Sequence, residues 1–474
     1  MADRQFPDFL ALREPELLFD PIDSKQRHIH PLEGLLAYGP YSQAIVEAVP
    51  KLIRIATILP RGEGERIANL LSQLRKPMSP EIRGQYLPRF PGFEPLLRTT
   101  MALADPSARI ELDPSVESEI TGSSRPHEVL ARALTDAIRR LAAQRGVFDI
   151  VMIYLPDRWS VGFEGPGDFD LHDFLKGVMA GQGIPSQVIN EPTTGHKPDQ
   201  CGVLWSLSIA IYAKAGGVPW KLKAFNPEAM YLGLSYSLGL TPAGVPRFVT
   251  CCSQAFDAEG TGFEFIAYET DVSRVRVVGR NPYLDREQMR AVMSRSLAMY
   301  LARRAGKLPK RIVVHKTTRF TKEEAEGAMD ALNKVREVEL LQVQDDTRWR
   351  AVKTDNMNGK IAPTPFPVER GSLQHLGPYE LLLWTQGNTQ LVGGRNFFKE
   401  GTAIPRPILL RRWAGSSPAE TLAEEVLGLT KMNWNNDALY DFLPTTVRYS
   451  QELAQIVGAI PKLDARPYSV RFFM

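Results

Sequence analysis

Apolar and polar positions fall into two rhythms along the chain. From His127 onward, HEVLARALTDAIRRLAAQRG carries apolar residues at helical spacing. VFDIVMIYLP is a continuous apolar run of strand length, and DFDLHDFLKGVMAGQG predicts a short amphipathic helix ending in glycine. SQVIN predicts a short strand. DQCGVLWSLSIAIYAKAGG predicts a long apolar helix with Gly216 and Gly217 as its stop signal. Strand and helix alternating in this way imply parallel strands joined by crossover helices. The second half differs. AMYLGLSYSLG, RFVTCCSQAF and GFEFIAYET read as consecutive strands, followed by a long helix over 285–306, the strand RIVVHKTTRF, and the helix TKEEAEGAMDALNKV with Thr321 and Glu324 as a capping box.

The fold class expected is therefore α/β, a Rossmann-like layer followed by a mixed sheet of the RNase H type. Residues 1–30, rich in proline and charge, read as an N-terminal arm. PLEGLLAYGPYSQAIVEAVPKLIRIATILP then opens a turn, a helix-like stretch and an apolar strand, and the polar stretch 105–127 reads as a surface loop. No internal repeat or low-complexity segment stands out.

Composition bounds the function. A chain of 474 residues has room for two or three domains. A hydrophobic content of 43% and a charged content of 23% are ordinary for a globular protein. No run of about 18 apolar residues occurs, so no membrane span is expected, and the N-terminus lacks the layout of a signal peptide. Cys201, Cys251 and Cys252 make a poor disulfide framework and a poor zinc site, which suits a reducing cytoplasm; all three read as small buried apolar groups. A net charge of +3 is too mild to announce nucleic acid, so any phosphate-binding surface must be local.

GxxxxGK, HExxH and paired CxxC signatures are absent. GLSYS at 233–237 resembles the nucleophile elbow of an α/β-hydrolase. Ser237 replaces its last glycine, however, and no helix-like stretch follows. A different set carries more weight. His172 and Lys176 are four residues apart on one expected helix and share a face. Gln187 lies on the next strand, and Lys214 ends the following helix. In a Rossmann-like layer these elements can converge at one end of the sheet, where two ammoniums, an imidazole and an amide can cradle a terminal phosphate. Taken singly each is bland: a solvated helix face, or a lysine that complements a helix C-terminus.

The order H-x3-K, Gln in SQVIN and Lys in IAIYAKAGGVPWKL resembles the guide-binding MID domain of Argonaute proteins. RIVVHKTTRFTKEEAEGAMDAL and PTTVRYSQELAQIVG resemble segments of their PIWI domain. PLEGLLAYGPY and the length resemble the short prokaryotic branch of that family. The resemblance runs from about residue 31 to the end, and divides the chain into a MID domain at 31–217 and an inactive RNase H-like PIWI domain at 218–474. It implies that Lys176, Gln187 and Lys214 bind the guide 5′-phosphate, and that His172 contacts the first guide nucleotide in place of the common Tyr. It also implies that the terminal carboxylate of Met474 helps hold Mg²⁺ beside that phosphate; the tail SVRFFM equally reads as one simply buried between domains.

An active PIWI domain uses Asp and Glu to hold two divalent metals. The resemblance puts Ser235, Thr317 and Gln451 at those positions, and three neutral residues cannot supply the charge. The cutting site is therefore expected to be lost, and the chain not to be an enzyme. Lys316, Arg319, Arg395, Lys399 and Arg448 are candidates for lining a guide–target channel, or ordinary solvated surface. The resemblance further implies a small guide RNA, a complementary single-stranded DNA target, no membrane, and a partner. That partner is an APAZ-containing effector, a sirtuin-like or TIR NADase rather than a nuclease, acting in defence against invading DNA. Two alternatives remain: a guide-directed endonuclease with an unrecognised metal site, and an interaction scaffold that binds no guide.

Overall fold

The computed structural model describes residues 9–474 except 46–48, 83, 85, 168, 196–197, 241–245, 271, 280, 391–395, 400–402, 436–439 and 460–467. For 239, 240, 246–252, 263, 264, 266, 268, 269, 272, 357, 390 and 459 it describes the backbone alone.

Strand β1 (Leu52–Pro60) centres a parallel sheet. It pairs with β2 (Ile150–Leu155) on one side, and with Thr100–Leu103 and Arg109–Leu112 on the other. Strand β3 (Ser186–Asn190) pairs in parallel with β2. The run IVMIYL is apolar throughout because all six residues of β2 are buried, as a strand covered on both faces requires. Helix Pro126–Ala142, helix α1 (Leu171–Gly181) and helix α2 (Gln200–Lys214) supply the cover and crossovers.

Among the described residues the second sheet has ten strands. Its centre is β4 (Ala229–Leu240), which starts an antiparallel meander through Pro246–Phe256 and Gly262–Glu269. On the other edge of β4 lie β5 (Arg311–Lys316) and β6 (Glu337–Gln344), both parallel to it. Helix α3 (Lys322–Ala331) follows β5, and helix α4 (Thr445–Ala459) lies across β4. The crossing is close at Gly233, where a Cβ would stand 1.8 Å from the carbonyl oxygen of Thr446. No side chain fits there, which fixes α4 against the strand. Beneath the sheet, Arg311 forms a two-pronged pair with Glu425, both bonds 3.0 Å and both partners buried.

The α/β fold of two layers, one parallel and one mixed, matches the expectation, and three expectations change. The stretch 105–127 is not a loop throughout: Arg109–Leu112 is a strand with Ile110 and Leu112 buried, and Ser115–Gly122 is a helix. Each is too short for its period to stand out among the flanking prolines and glycines. The arm over 1–30, described from residue 9, is anchored in the body. Leu17 and Phe19 are fully or nearly fully buried, and Leu10–Ala11 adds a strand to the large sheet. Lys316 lines no channel. Only 1% exposed, it pairs with Glu324 at 2.6 Å amid the rings of Tyr236, Tyr283 and Phe320. Strand alternation sends it to the α3 face, and Glu324, the capping-box residue of α3, meets it there. Among the described residues no helix is long and apolar enough to cross a membrane.

Candidate nucleic-acid interface

Helix α1 starts where the Asp170 side chain accepts the N–H of Asp173 at 2.9 Å. Leu171, Leu175 and Met179 form its buried stripe, and Lys176 lies beside that stripe with 9% exposure. Helix α2 is apolar nearly all round, because the sheet and neighbouring helices cover it. It carries Lys214 at its last turn, 2% exposed. Gly216, at φ 105°, turns the chain out of the helix in a conformation that favours glycine. The Lys214 Nζ donates to Gln187 Oε1 at 2.6 Å, joining the end of α2 to β3.

Lys176, Gln187 and Lys214 are thus brought together. Burial holds the Lys214 ammonium well below its ordinary pKa; the positive charge of Lys176 lowers it further, and Glu452 opposes. Burial likewise lowers Lys176, with Glu452 and Asp173 opposing and Arg448 adding to the fall. Two neighbouring buried ammoniums with one shared counter-charge are costly unless an anion joins them.

His172 lies one turn before Lys176 on α1. Its side chain is half-exposed, with Nδ1 3.6 Å from the Asp173 carboxylate. Glu452 and Arg448, which complete the surroundings of the lysines, come from α4 and pair with each other at 2.7 Å. Arg448 is thus close enough for its charge to act on Lys176. Glu452 was missed as a member of this cluster; its signal is the i,i+4 spacing in RYSQE, which puts both side chains on one helical face. The tail Val470–Phe472 packs against both α1 and α2, and the Met474 side chain is buried. Arg319 is exposed, Lys399 is half-buried, and Arg395 lies outside the described residues. Cys201 is free and buried; the side chains of Cys251 and Cys252 lie outside those described.

The positions expected for metal-binding carboxylates lie on β4, just past the end of β5, and on α4. Leu234 and Lys316 are the last parallel partners of β4 and β5, and Ser235 and Thr317 are the residues that follow them. Alternation puts Ser235 between Gly233 and Ser237, which meet α4 at Thr446 and Gly458. Gln451 lies between those two helix positions. His315 shares the face, bonded to Thr446 Oγ1 at 2.7 Å; complete burial, aided by Arg311, pulls its pKa down to about 3 and leaves it neutral.

A parallel sheet set against a mixed sheet in this way has known counterparts. The chain superposes on the Clostridium butyricum Argonaute bound to a guide DNA and a 19-mer target DNA with a TM-score of 0.66, at 17% identity, over 98% of this chain and 55% of that one. Its fold is the Argonaute fold. An Aquifex aeolicus Argonaute crystal structure matches with a TM-score of 0.61, at 17% identity, over 99% of this chain and 56% of that one. In sequence the chain is 23% identical to the Argonaute of Cereibacter sphaeroides, over 94% of this chain and 56% of that protein. It is 26% identical to the Aquifex aeolicus Argonaute, over 65% of this chain and 38% of that protein. The chain thus spans about half the length, or less, of the Argonautes it matches. No family model matches it.

Proposed function

We propose that this chain is the guide-strand-binding subunit of a short prokaryotic Argonaute system, with 31–217 as its MID domain and 218–474 as an inactive PIWI domain. It holds the 5′-phosphate of a small guide RNA, recognises complementary single-stranded DNA without cutting it, and relays the event to an APAZ-containing effector, an NADase of the sirtuin-like or TIR kind. Its setting is the cytoplasm, in defence against invading DNA. The observation that carries the reading is the pair of neighbouring buried ammoniums, Lys176 and Lys214, the latter bonded to Gln187.

A phosphate dianion would favour the charged form of both lysines, with Lys176, Lys214 and the Gln187 amide donating to its oxygens. The exposed ring of His172, one turn before Lys176, is available to the first base. The Met474 carboxylate, at the end of a tail packed against both helices, would hold Mg²⁺ beside the phosphate; the ion would neutralise the excess charge of phosphate and carboxylate together. Ser235, Thr317 and Gln451 offer no charge for a metal pair. Loaded with guide and matched DNA in Mg²⁺ or Mn²⁺, the protein is expected to leave the target intact. Guide-directed cutting would replace this reading with the endonuclease one, and a preparation from cells free of small RNA would favour the scaffold.

The depressed lysines also set a pH dependence. Their pKa values lie below the ordinary range in the free protein, and a bound dianion raises them again. Binding must then take up protons, and affinity must fall as pH rises through the depressed values. Calorimetry above neutral pH, in two buffers of different ionisation enthalpy, should show net uptake for a 5′-phosphorylated strand and none for a 5′-hydroxyl strand.

A further inference from the structure

Helix α4 brings a carboxylate to the lysine cradle, and the phosphate grip makes no use of it. Ala180, one turn beyond Lys176 on α1, lies in one buried cluster with Leu453, Ala454, Ile456 and Val457 of α4. Glu452 shares that side of α4, one turn before Ile456, as Lys176 shares the facing side of α1. Burial apart, Glu452 is the strongest influence on the Lys176 ammonium, ahead of Asp173 on the lysine's own helix, and it acts on Lys214 as well. Arg448, one turn earlier on α4, holds the Glu452 carboxylate at 2.7 Å. The Glu452 side chain keeps 25% of its surface exposed, so it borders the cradle rather than lying beneath it.

A carboxylate beside an anion site opposes the anion. Glu452 attracts Lys176 and Lys214 whether the cradle is empty or filled, so that attraction largely cancels from the binding balance. Its repulsion of a bound anion exists only in the filled state, and it remains. The bond to Arg448 adds to this, because a guanidinium already engaged by a carboxylate has fewer donors left for a phosphate. For the tightest grip on any anion, an amide or an apolar side chain at 452 would serve better. What the carboxylate adds is discrimination, through a repulsive element. The repulsion grows with the ligand's charge. A single terminal phosphate carries about −2 and is answered by the two ammoniums. A triphosphate end carries more, and its further phosphates must lie close to the lysines, where Glu452 acts. Asp173 and Asp170, at the start of α1, add charge of the same sign.

We propose that Glu452, held by Arg448, is a specificity-determining residue of the cradle: it admits a strand end bearing one phosphate and rejects an end bearing a triphosphate. The inference rests on the guide reading above and adds to it a selection among strand ends. A purely structural role for the Arg448–Glu452 pair, as an i,i+4 brace of α4, predicts something different. It would move the melting temperature and treat all strand ends alike.

The test is competition binding of the full chain to one RNA sequence carrying a 5′-hydroxyl, a 5′-monophosphate or a 5′-triphosphate. It is run at a fixed Mg²⁺ concentration and at pH 6, which favours the ammonium forms in every variant. The parent should bind the monophosphate end at least about tenfold more tightly than the triphosphate end. Glu452→Gln should narrow that ratio by about tenfold, through a gain for the triphosphate end, with the 5′-hydroxyl affinity unchanged. Glu452→Asp, which keeps the charge, should keep most of the parent's ratio. The proposal is overturned if Glu452→Gln leaves the ratio where it was, or if affinities for all three ends shift together with the melting temperature. A parent that binds phosphate and hydroxyl ends equally ends the guide reading and this inference with it. A parent that prefers the phosphate, beside an unmoved ratio in Glu452→Gln, sinks this inference alone.

Discussion

Replacing Lys176 and Lys214 together by alanine is expected to lower affinity for a 5′-phosphorylated strand by about two to four orders of magnitude, since each charge-assisted hydrogen bond contributes roughly 1.5–3 kcal/mol. Affinity for the same strand with a 5′-hydroxyl should hardly move. The contrast matters, because loss of fold would weaken both. The variant should also be no less stable than the parent. Both ammoniums are held below their ordinary pKa, so folding pays a penalty for keeping them charged, and neutral side chains remove it. The sign is that of a base with a depressed folded pKa: the penalty is full below the depressed values, shrinks as pH rises above them, and disappears only above the ordinary lysine value. Competition binding on the two strands, with a thermal melt of each variant, separates a lost phosphate grip from a damaged fold.

The other large effect belongs to the support of the second sheet. Arg311→Met should destabilise the protein by about 3–5 kcal/mol, because it strands a buried charge rather than merely deleting a bond. Glu425 would lose its two-pronged partner while 1% exposed, and Glu339, 3.8 Å from the guanidinium in the parent, would lose its neighbour too. Burial already pushes the Glu425 carboxyl up against the pull of Arg311. Without Arg311 it rises further, so stability is present at acid pH, where the group is neutral, and falls as pH rises through the raised value. Denaturant midpoints should therefore separate variant and parent more at pH 8 than at pH 5. Adding Glu425→Leu should recover most of the loss, since a well-packed apolar pair replaces an ionic one at little cost.

The large elements were legible because their periods are long and their covers complete. The run IVMIYL reads as a strand buried on both faces, and the Thr321–Glu324 box marks the start of α3 to the residue. Short elements hid. Arg109–Leu112 has two inward residues, too few to establish alternation, and Leu17 with Phe19 is a buried pair inside a polar stretch. In the cradle, order and spacing pointed to Lys176, Gln187 and Lys214. Spacing could not say that α4, more than two hundred residues later, brings Glu452 and Arg448 to the same lysines, because that contact depends on how the two sheets pack. Lys316 misled for a related reason. A basic residue at a strand end suggests a surface, and only its opposition to Glu324 across α3 makes it a core residue.

The central claim is a built grip for a terminal phosphate. It is tested most directly by measuring the unmodified protein's affinity for one guide sequence bearing a 5′-phosphate and for the same sequence bearing a 5′-hydroxyl, at neutral pH with Mg²⁺. The account predicts preference for the phosphate by about a hundredfold or more, as two charge-assisted contacts require. Equal affinity for the two strands would contradict it.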